Sequence, residues 1–203
     1  MLSLLGTHSV LVVDEGLIDC IAEMQHLTRM INTEEGVAFP ELYIRSFTSA
    51  RIVVEYKLFR LCNESVSRFS RAMCIAAQIY ANRVLRTFER GNLFIHHLAE
   101  RLKKAIEQTL DDIAEGAQMN KEQLMSVLWM SVMGAVGSRN GPLRAWFVGM
   151  VRSGCYNAGV STSSAFESVL GSMLWSERSL GKDRIALWKE VEQGEACDPW
   201  SLW

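Results

Sequence analysis

Residues that interrupt or cross-link a chain are scarce in this sequence. Only three prolines occur in 203 residues, so the chain has few of the breaks that separate strands or form proline-rich linkers. The cysteines are odd in number, include no C-x-x-C pair and are widely spaced, at positions 20, 62, 74, 155 and 197. This spacing argues against a zinc cluster and against a disulfide framework. We expect buried thiols and a reducing intracellular compartment.

Long hydrophobic runs and a large net charge are also missing. The opening MLSLLGTHSVLVV lacks the basic start and the cleavage site of a signal peptide, and Asp14 and Glu15 end its apolar run too early for a membrane span. The apolar run at 124–137 is also too short. A formal net charge of −2 gives no overall attraction to nucleic acid. We therefore expect a soluble protein without a membrane partner.

Motifs for catalysis, metal binding or cofactor binding are absent as well. The sequence contains no H-E-x-x-H, no G-x-S-x-G, no phosphate-binding glycine loop and no dinucleotide fingerprint. His96 and His97 are adjacent, so on a helix their side chains point about 100° apart and cannot chelate one ion. The S-x-x-K match at 179–182 lacks its companion motifs. We predict a protein that is not an enzyme and that uses no metal and no cofactor.

Helical periodicity dominates the rest of the sequence. Apolar side chains recur at spacings of three and four, which predicts helices over residues 14–31, 41–62, 66–88, 94–113, 120–137, 142–151, 164–174 and 182–191. Strict alternation of polar and apolar residues, the strand signal, is confined to 9–13. We predict an all-α protein, an irregular bundle of about seven to eight helices. It forms a single domain over 1–203, in which 1–13 and 194–203 are loosely ordered.

Polar residues and glycines predict several helix boundaries. Asn63 is the expected cap of the third helix, and Ser164 with Glu167 matches a capping box for the seventh. Gly91 is the expected end of the third helix, and Gly181 precedes the last one.

One predicted helix is apolar on every side. Its apolar residues between Leu124 and Val136 leave no polar face, so neighbouring helices must enclose it. A capping box at Asn120 and Gln123 predicts its start, and Pro142 suits the first turn of the helix that follows. We expect this helix at the centre of the bundle. The predicted core residues are Tyr80, Leu128, Trp129, Trp146 and Phe147.

Charge is unevenly distributed along the chain. Residues 51–104 contain eleven basic and four acidic side chains, whereas residues 1–50 contain two basic and seven acidic ones. Arg68, Arg71 and Arg83 lie away from the apolar stripe of the third helix, so they are candidate contacts for an acidic partner. The alternative is a solvated face, or one that is compensated by the acidic N-terminal segment of the same chain. Without a recognition-helix signature, the basic region does not predict DNA binding.

The C-terminal tail combines acidic residues with tryptophans. Trp200 and Trp203 follow four acids within residues 190–203, a composition typical of segments that bind coactivators. These two side chains are therefore candidate partner contacts. The alternative is a structural role, in which the chain end packs its tryptophans against the helical bundle.

Three segments resemble, in order, the C-terminal helical region of fungal-specific transcription factors. They are ARIVVEYKLFRL at 50–61, RAMCIAAQIYANRVLR at 71–86 and LMSVLWMSVMGAVGSRNGPLRAWFVGMV at 124–151. The resemblance implies an all-α regulatory region that acts in the nucleus through protein partners, either the transcription machinery or a related full-length regulator. That region usually follows a six-cysteine zinc-cluster DNA-binding domain, which this sequence lacks. We therefore expect no sequence-specific DNA binding by this chain.

Other interpretations of the sequence remain open. The chain is either a C-terminal portion of a longer regulator or a free-standing relative without the DNA-binding domain. A helical small-molecule binder, with methionines and tryptophans around an internal cavity, is one alternative to a transcription regulator. A scaffold or partner-titrating module is the other. A cytoplasmic location is the alternative to the nucleus.

Overall fold

Residues 13–33, 41–64, 67–89, 92–114 and 119–194 are described by the structure, a computed structural model. Within these ranges the chain forms eight α-helices and no strand. They are α1 (Glu15–Thr33), α2 (Glu41–Glu64), α3 (Arg68–Tyr80), α4 (Leu93–Ala114), α5 (Lys121–Gly137), α6 (Pro142–Asn157), α7 (Ser163–Gly171) and α8 (Glu177–Gln193). A π-helical turn, Ala81–Leu85, continues α3. The prediction of an all-α array with seven to eight helices is confirmed.

The boundary between α5 and α6 follows the local sequence signals. The Asn120 side chain accepts a hydrogen bond from the Gln123 amide, and the Gln123 side chain accepts one from the Asn120 amide, both at 2.9 Å. This is the predicted capping box. Pro142 occupies the first turn of α6, and Gly141 before it has a φ of 126°, which a residue with a side chain rarely adopts. Two helices are thereby joined by a short, sharply turned connection.

Two predicted caps are wrong because a nearby hydroxyl takes their place. Asn63 lies in the last turn of α2, and the Ser67 side chain caps α3 by accepting from the Ser70 amide at 3.0 Å. Thr162, not Ser164, caps α7, since its extended backbone brings its hydroxyl to the Ala165 amide at 3.2 Å. Where several residues that can cap a helix lie close together in sequence, the path of the chain before the helix decides which of them forms the cap.

The last helix begins earlier than predicted. Ser176 caps α8 by accepting from the Ser179 amide, so Gly181 lies buried inside the helix and does not precede it. The predicted boundary relied on the low helix propensity of glycine. A side chain at Gly181 would require the Glu177 carboxylate to shift, because a Cβ there would lie 2.5 Å from Glu177 Oε1.

The third helix is shorter than its apolar pattern predicts. It passes into the π-helical turn at Ala81, and the Arg86 amide bonds to the Ala81 carbonyl at 3.0 Å, five residues back. The Asn82 side chain donates to the Gln78 carbonyl at 2.7 Å. Thr87, with a φ of 55°, turns the chain out of the helix before the predicted end at Gly91. Apolar residues continue through this turn, so their pattern does not mark the change.

Two helices form the centre of the bundle. Helix α3 contacts α1, α2, α4 and α5, while α5 contacts α3, α4 and α6. Trp129 of α5 is 1% exposed and donates its indole N–H to the Leu174 carbonyl at 2.8 Å. In α3, the Tyr80 hydroxyl lies 2.9 Å from that of Thr28 in α1. The predicted central helix is therefore enclosed, and α3 shares the centre with it.

Close packing of α5 on α6 depends on one glycine. A Cβ at Gly134 would overlap the ring of Phe147, so the ring rests directly on the backbone of α5. Helix α8 packs on α6, α7 and the π-helical turn.

A candidate interaction surface between α2 and α4

Helix α2 carries an apolar stripe that the rest of the described structure leaves uncovered. Ile52, Tyr56 and Phe59 are spaced four and three residues apart, so they line one side of the helix. Their side chains are 53%, 65% and 63% exposed, whereas Val54 and Leu58 on the inward side are buried. We call these three residues the α2 stripe. A contiguous apolar stripe in water is typical of a surface that binds something.

A groove lies beside this stripe, between α2 and α4 and above α3. We call it the α2–α4 groove, a space of about 230 Å³ lined by Glu55, Leu58, Phe59, Gln78, Ala81, Asn82, Arg86 and Phe94. Phe59 forms the α2 wall and Phe94 the α4 wall, and both rings are mostly exposed. The π-helical turn supplies Ala81 and Asn82 of the floor. The groove therefore presents two aromatic walls to solvent.

The one carboxylate among these lining residues is compensated. Arg86 donates from Nε to Glu55 Oε1 at 2.7 Å and from Nη2 to Glu55 Oε2, so the two side chains form a two-point pair. This hydrogen bonding raises the pKa of Arg86. Arg51 lies one helical turn before Glu55, with 3.8 Å between Arg51 Nε and Glu55 Oε1. Glu55 consequently adds little negative potential to the groove.

Two arginines lie near Cys62, one turn of α2 beyond Phe59 and outside the lining of the groove, and we call this region the basic end. Arg101 of α4 approaches the Cys62 thiol at the end of α2, with 4.0 Å between Nη2 and Sγ. Burial raises the pKa of Cys62, and the positive charges of Arg101 and Arg71 partly oppose that rise, which places both arginines near the thiol. Phe94 and Arg101 are seven residues apart on α4 and so share an edge of that helix. The surface thus continues from the aromatic walls of the groove to this basic end.

The predicted partner-contact arginines have different surroundings. Arg68 is half-exposed and pairs with Asp112, with 2.7 Å between Nη1 and Oδ1. Arg71 is exposed, and its charge acts on the Cys62 thiol. The expectation that Arg83 is available to a partner is wrong, because its side chain is 9% exposed and Nη2 pairs with Asp183 Oδ2 at 2.6 Å. Helix α8 packs on the π-helical turn and brings Asp183 to Arg83 across 100 positions of sequence.

In the described residues, the acidic N-terminal segment (1–50) reaches the basic region through an ion pair with Lys57. Lys57 pairs with Glu23 of α1 at 2.6 Å, and Arg60 pairs with Glu64 of its own helix at 3.2 Å. Both pairs are exposed, so each contributes little to stability.

Four of the five predicted core residues lie in the core, and one lies at its rim. Tyr80, Leu128, Trp129 and Phe147 are almost fully buried. Trp146 is half-buried: its ring meets Phe147 edge-on at 4.9 Å between centroids, and the Lys103 ammonium lies 5.2 Å above it. The prediction of a core position for Trp146 is therefore corrected to a position at the boundary. The candidate contacts Trp200 and Trp203 lie outside the described residues.

A second space lies near the other end of α2. It has a volume of about 420 Å³ and is lined by Met30, Ile31, Ile44, Phe47, Val84, Leu85, Thr87, Arg178 and Ser179. Arg178 donates to the Ile31 carbonyl at 2.9 Å, so part of its guanidinium caps the end of α1. The sequence analysis considered an internal cavity lined by methionines and tryptophans. The described lining of this space includes one methionine, Met30, and no tryptophan.

Sequence reasoning did not single out Phe59, Phe94 and Arg101. The available signal was a second apolar spacing on α2, at 52, 56 and 59, offset from the stripe that packs inward. The partnership of Phe59 with Phe94 had no such signal, since it depends on how α2 and α4 pack on α3.

Searches for a metal site and for relatives gave negative results. The described ranges contain no group of three or more His, Cys, Asp or Glu side chains that could hold a metal ion. None of the helices in those ranges has the length and apolar character needed to cross a bilayer. Comparison of the chain with protein-family models, with curated proteins and with solved structures found no match. The resemblance to fungal-specific transcription factors stays a prediction.

Proposed function

We propose that this chain is a non-enzymatic helical domain that regulates transcription through protein–protein contacts. The observation that carries the proposal is the exposed α2 stripe beside the α2–α4 groove. Large apolar side chains that face water at helical spacing are costly for a chain that binds nothing. A helical partner that covers them would complete the burial of α2.

The regulatory part of the proposal is supported by the order of three sequence segments. The segments at 50–61, 71–86 and 124–151 fall in α2, in α3 with its π-helical turn, and in α5 with α6. They include both central helices, as a resemblance based on the fold would require. The expected partners are the transcription machinery or a related full-length regulator in the nucleus. Residues 1–203 contain no zinc-cluster cysteines, so DNA binding would come from such a partner or from another part of a longer regulator.

A tethering experiment tests this function. The chain is fused to a heterologous DNA-binding module, and transcription of a reporter is compared with that given by the module alone. We expect a change of about fivefold or more, lost in Tyr56→Asp because that charge interrupts the α2 stripe. Tyr156→Asp on α6 is the matched control, since Tyr156 is also a largely exposed aromatic residue. A reporter that ignores the tethered domain would contradict a role in transcription.

A second candidate function is the binding of a small apolar molecule. The 420 Å³ space has the volume typical of ligand sites, and Arg178 and Ser179 give its apolar lining a polar end. Apolar carboxylic acids would be screened for an increase in the thermal unfolding midpoint. Ile44→Arg, at the exposed edge of this space, is expected to remove any increase. A stabilising ligand that is unaffected by this substitution binds elsewhere.

A further inference from the structure

We propose that the α2–α4 groove binds an acidic amphipathic helix of a partner protein. One large apolar side chain of that helix inserts between Phe59 and Phe94, and a carboxylate further along it pairs with Arg101. The inference deepens the proposed function, because it rests on the chain acting through protein contacts and specifies the chemistry of the partner.

The size of the groove favours a peptide side chain over a whole ligand. Its volume of about 230 Å³ lies below the range of about 300–1,000 Å³ that is typical of small-molecule sites. Its walls are two exposed aromatic rings, which provide a large contact area at a low cost in conformational entropy. The α2 stripe extends the apolar area beyond the groove through Tyr56 and Ile52. An elongated partner can therefore cover both surfaces at once.

Backbone hydrogen bonding favours a helical partner over an extended one. An extended peptide gains main-chain hydrogen bonds by pairing with the edge of a sheet. The described residues contain no strand, and the backbone groups of α2, α3 and α4 around the groove are used within their own helices. A helix satisfies its own backbone groups and needs from the groove only side-chain contacts. Helix-in-groove binding is the mode that this surface supports.

Charge favours an acidic partner. Within the described structure, the polar contact of Arg101 is with the weakly accepting Cys62 thiol, and no carboxylate pairs with it. Glu55, in the lining of the groove, is held by Arg86 and Arg51. The basic end can therefore accept a carboxylate, and an acidic ligand meets little repulsion at the aromatic walls.

The spacing of these features predicts the sequence pattern of the partner. Phe94 and Arg101 are separated by seven residues of α4, a distance of about 10 Å along the helix. A partner helix with a similar course needs its apolar anchor and its acidic residue about two turns apart. A second apolar residue would reach the α2 stripe if it lies one turn from the anchor, in the direction along the partner helix that leads away from the acidic residue.

A peptide titration with the full chain tests this inference. The probe is a fluorescein-labelled synthetic helix of about 16 residues, with leucine and phenylalanine one turn apart and two glutamates two turns beyond the phenylalanine. Binding is measured by fluorescence anisotropy, against the same peptide with lysines in place of the glutamates. We expect the acidic peptide to bind about tenfold more tightly than the lysine peptide.

Variants of the chain locate the site. Arg101→Glu is expected to weaken the acidic peptide about tenfold and to strengthen the lysine peptide, because the charge preference reverses. Phe59→Ser should weaken both peptides. Lys182→Glu, an exposed basic residue of α8, is the matched control and should change neither. Circular dichroism melts establish that each variant is folded.

The possible outcomes distinguish a failure of the groove assignment from a failure of the proposed role in transcription. Equal binding of both peptides, or equal effects of Arg101→Glu and Lys182→Glu, would overturn the groove assignment. Tighter binding of a duplex or single-stranded oligonucleotide, with the same dependence on Arg101, would also overturn it and make this a nucleic-acid surface. If the peptide binds as expected while the tethered reporter stays unchanged, the groove assignment stands and the role in transcription fails.

Discussion

Helices α2 and α5 are both rich in apolar residues, yet their surroundings differ. Helix α5 is buried from Val127 to Gly137, with α3, α4 and α6 packed around it. Helix α2 packs on α1 and α3 and leaves the α2 stripe in solvent. The apolar surface of α5 is buried in the fold, whereas α2 buries one apolar side and keeps the α2 stripe exposed. Hydrophobic content alone does not distinguish a fully enclosed helix from one that keeps an apolar stripe in solvent.

The types of side chain on the two helices agree with this difference. Helix α5 includes small residues such as Ser131, Gly134 and Ala135, which let neighbouring backbones approach closely. The exposed side of α2 has Tyr56 and Phe59, whose large rings suit an intermittent contact, and the tyrosine hydroxyl can remain in water.

The largest expected effect compares a tryptophan of α5 with a tyrosine of α2. Trp129→Ala should destabilise the fold by about 3–5 kcal/mol, because it leaves a cavity and an unpaired carbonyl at Leu174. Tyr56→Ala should change stability by less than about 0.5 kcal/mol. Urea unfolding followed by circular dichroism measures both. Similar losses in the two variants would show that the stripe is covered in the free chain.

Two arginines provide the second test. Arg83→Glu should cost about 3–5 kcal/mol, because it places a carboxylate against Asp183, whose side chain is 13% exposed. Arg71→Glu, on the exposed side of α3, should cost less than about 1 kcal/mol. The urea concentrations at the unfolding midpoints of the two variants are compared at neutral pH. A larger loss of stability in Arg71→Glu than in Arg83→Glu would contradict the assignment of Arg83 to an enclosed ion pair.

A pair of glycines tests the packing of α5 on α6. Gly134→Ala should destabilise by about 1–3 kcal/mol, because the added methyl group overlaps the Phe147 ring and α6 must shift. Gly171→Ala, at the end of α7, has open space around it and should be neutral or stabilising by up to about 1 kcal/mol. Thermal unfolding reports both. In a Phe147→Leu background, the smaller side chain should reduce the destabilisation caused by Gly134→Ala. An undiminished loss of stability would show that overlap with the Phe147 ring is not its cause.

The smallest expected effect concerns acid pH and an ion pair within α8. Arg184, buried in the middle of α8, hydrogen-bonds to Glu177 in the first turn at 2.8 Å and lowers the pKa of that carboxyl, and the Trp175 indole N–H acts in the same direction. The folded pKa lies below the ordinary value of 4.5, so this contribution is present above about pH 4.5 and is lost as pH falls through the folded pKa. The effect is modest because the Glu177 side chain is 47% exposed. Glu177→Gln should lower the unfolding midpoint slightly at pH 7 and flatten its decline between pH 5 and about 3. An unchanged decline would place the acid sensitivity in other carboxylates.

Much of the fold could be predicted from the sequence because its signals are local. The capping box at Asn120, the proline that begins α6 and the apolar faces of α5 each involve residues within a few positions of one another. The π-helical turn was not predictable in this way, since Val84 and Leu85 continue the apolar pattern of α3 through it. The cap at Thr162 depends on how the chain approaches α7, which the local sequence does not specify.

The candidate site was less predictable than the fold. Arg71 was chosen from its position on α3, but Arg83, chosen by the same argument, is enclosed by α8. The apolar stripe on the inward side of α2 is enough to predict a helix. That stripe gives no signal for Phe59, which lies on the exposed side.

The sequence by itself determined that the chain is helical, where α5 begins and that α5 is enclosed, because spacing, capping and polarity act within one helix. Tertiary structure decided which surfaces meet. It paired Arg144 with Glu190 at 2.7 Å, placed Ser176 at 2.9 Å from Asn32, and set Phe59 opposite Phe94. The members of each pair are 35 to 144 positions apart, and only the packing of whole helices brings such residues together.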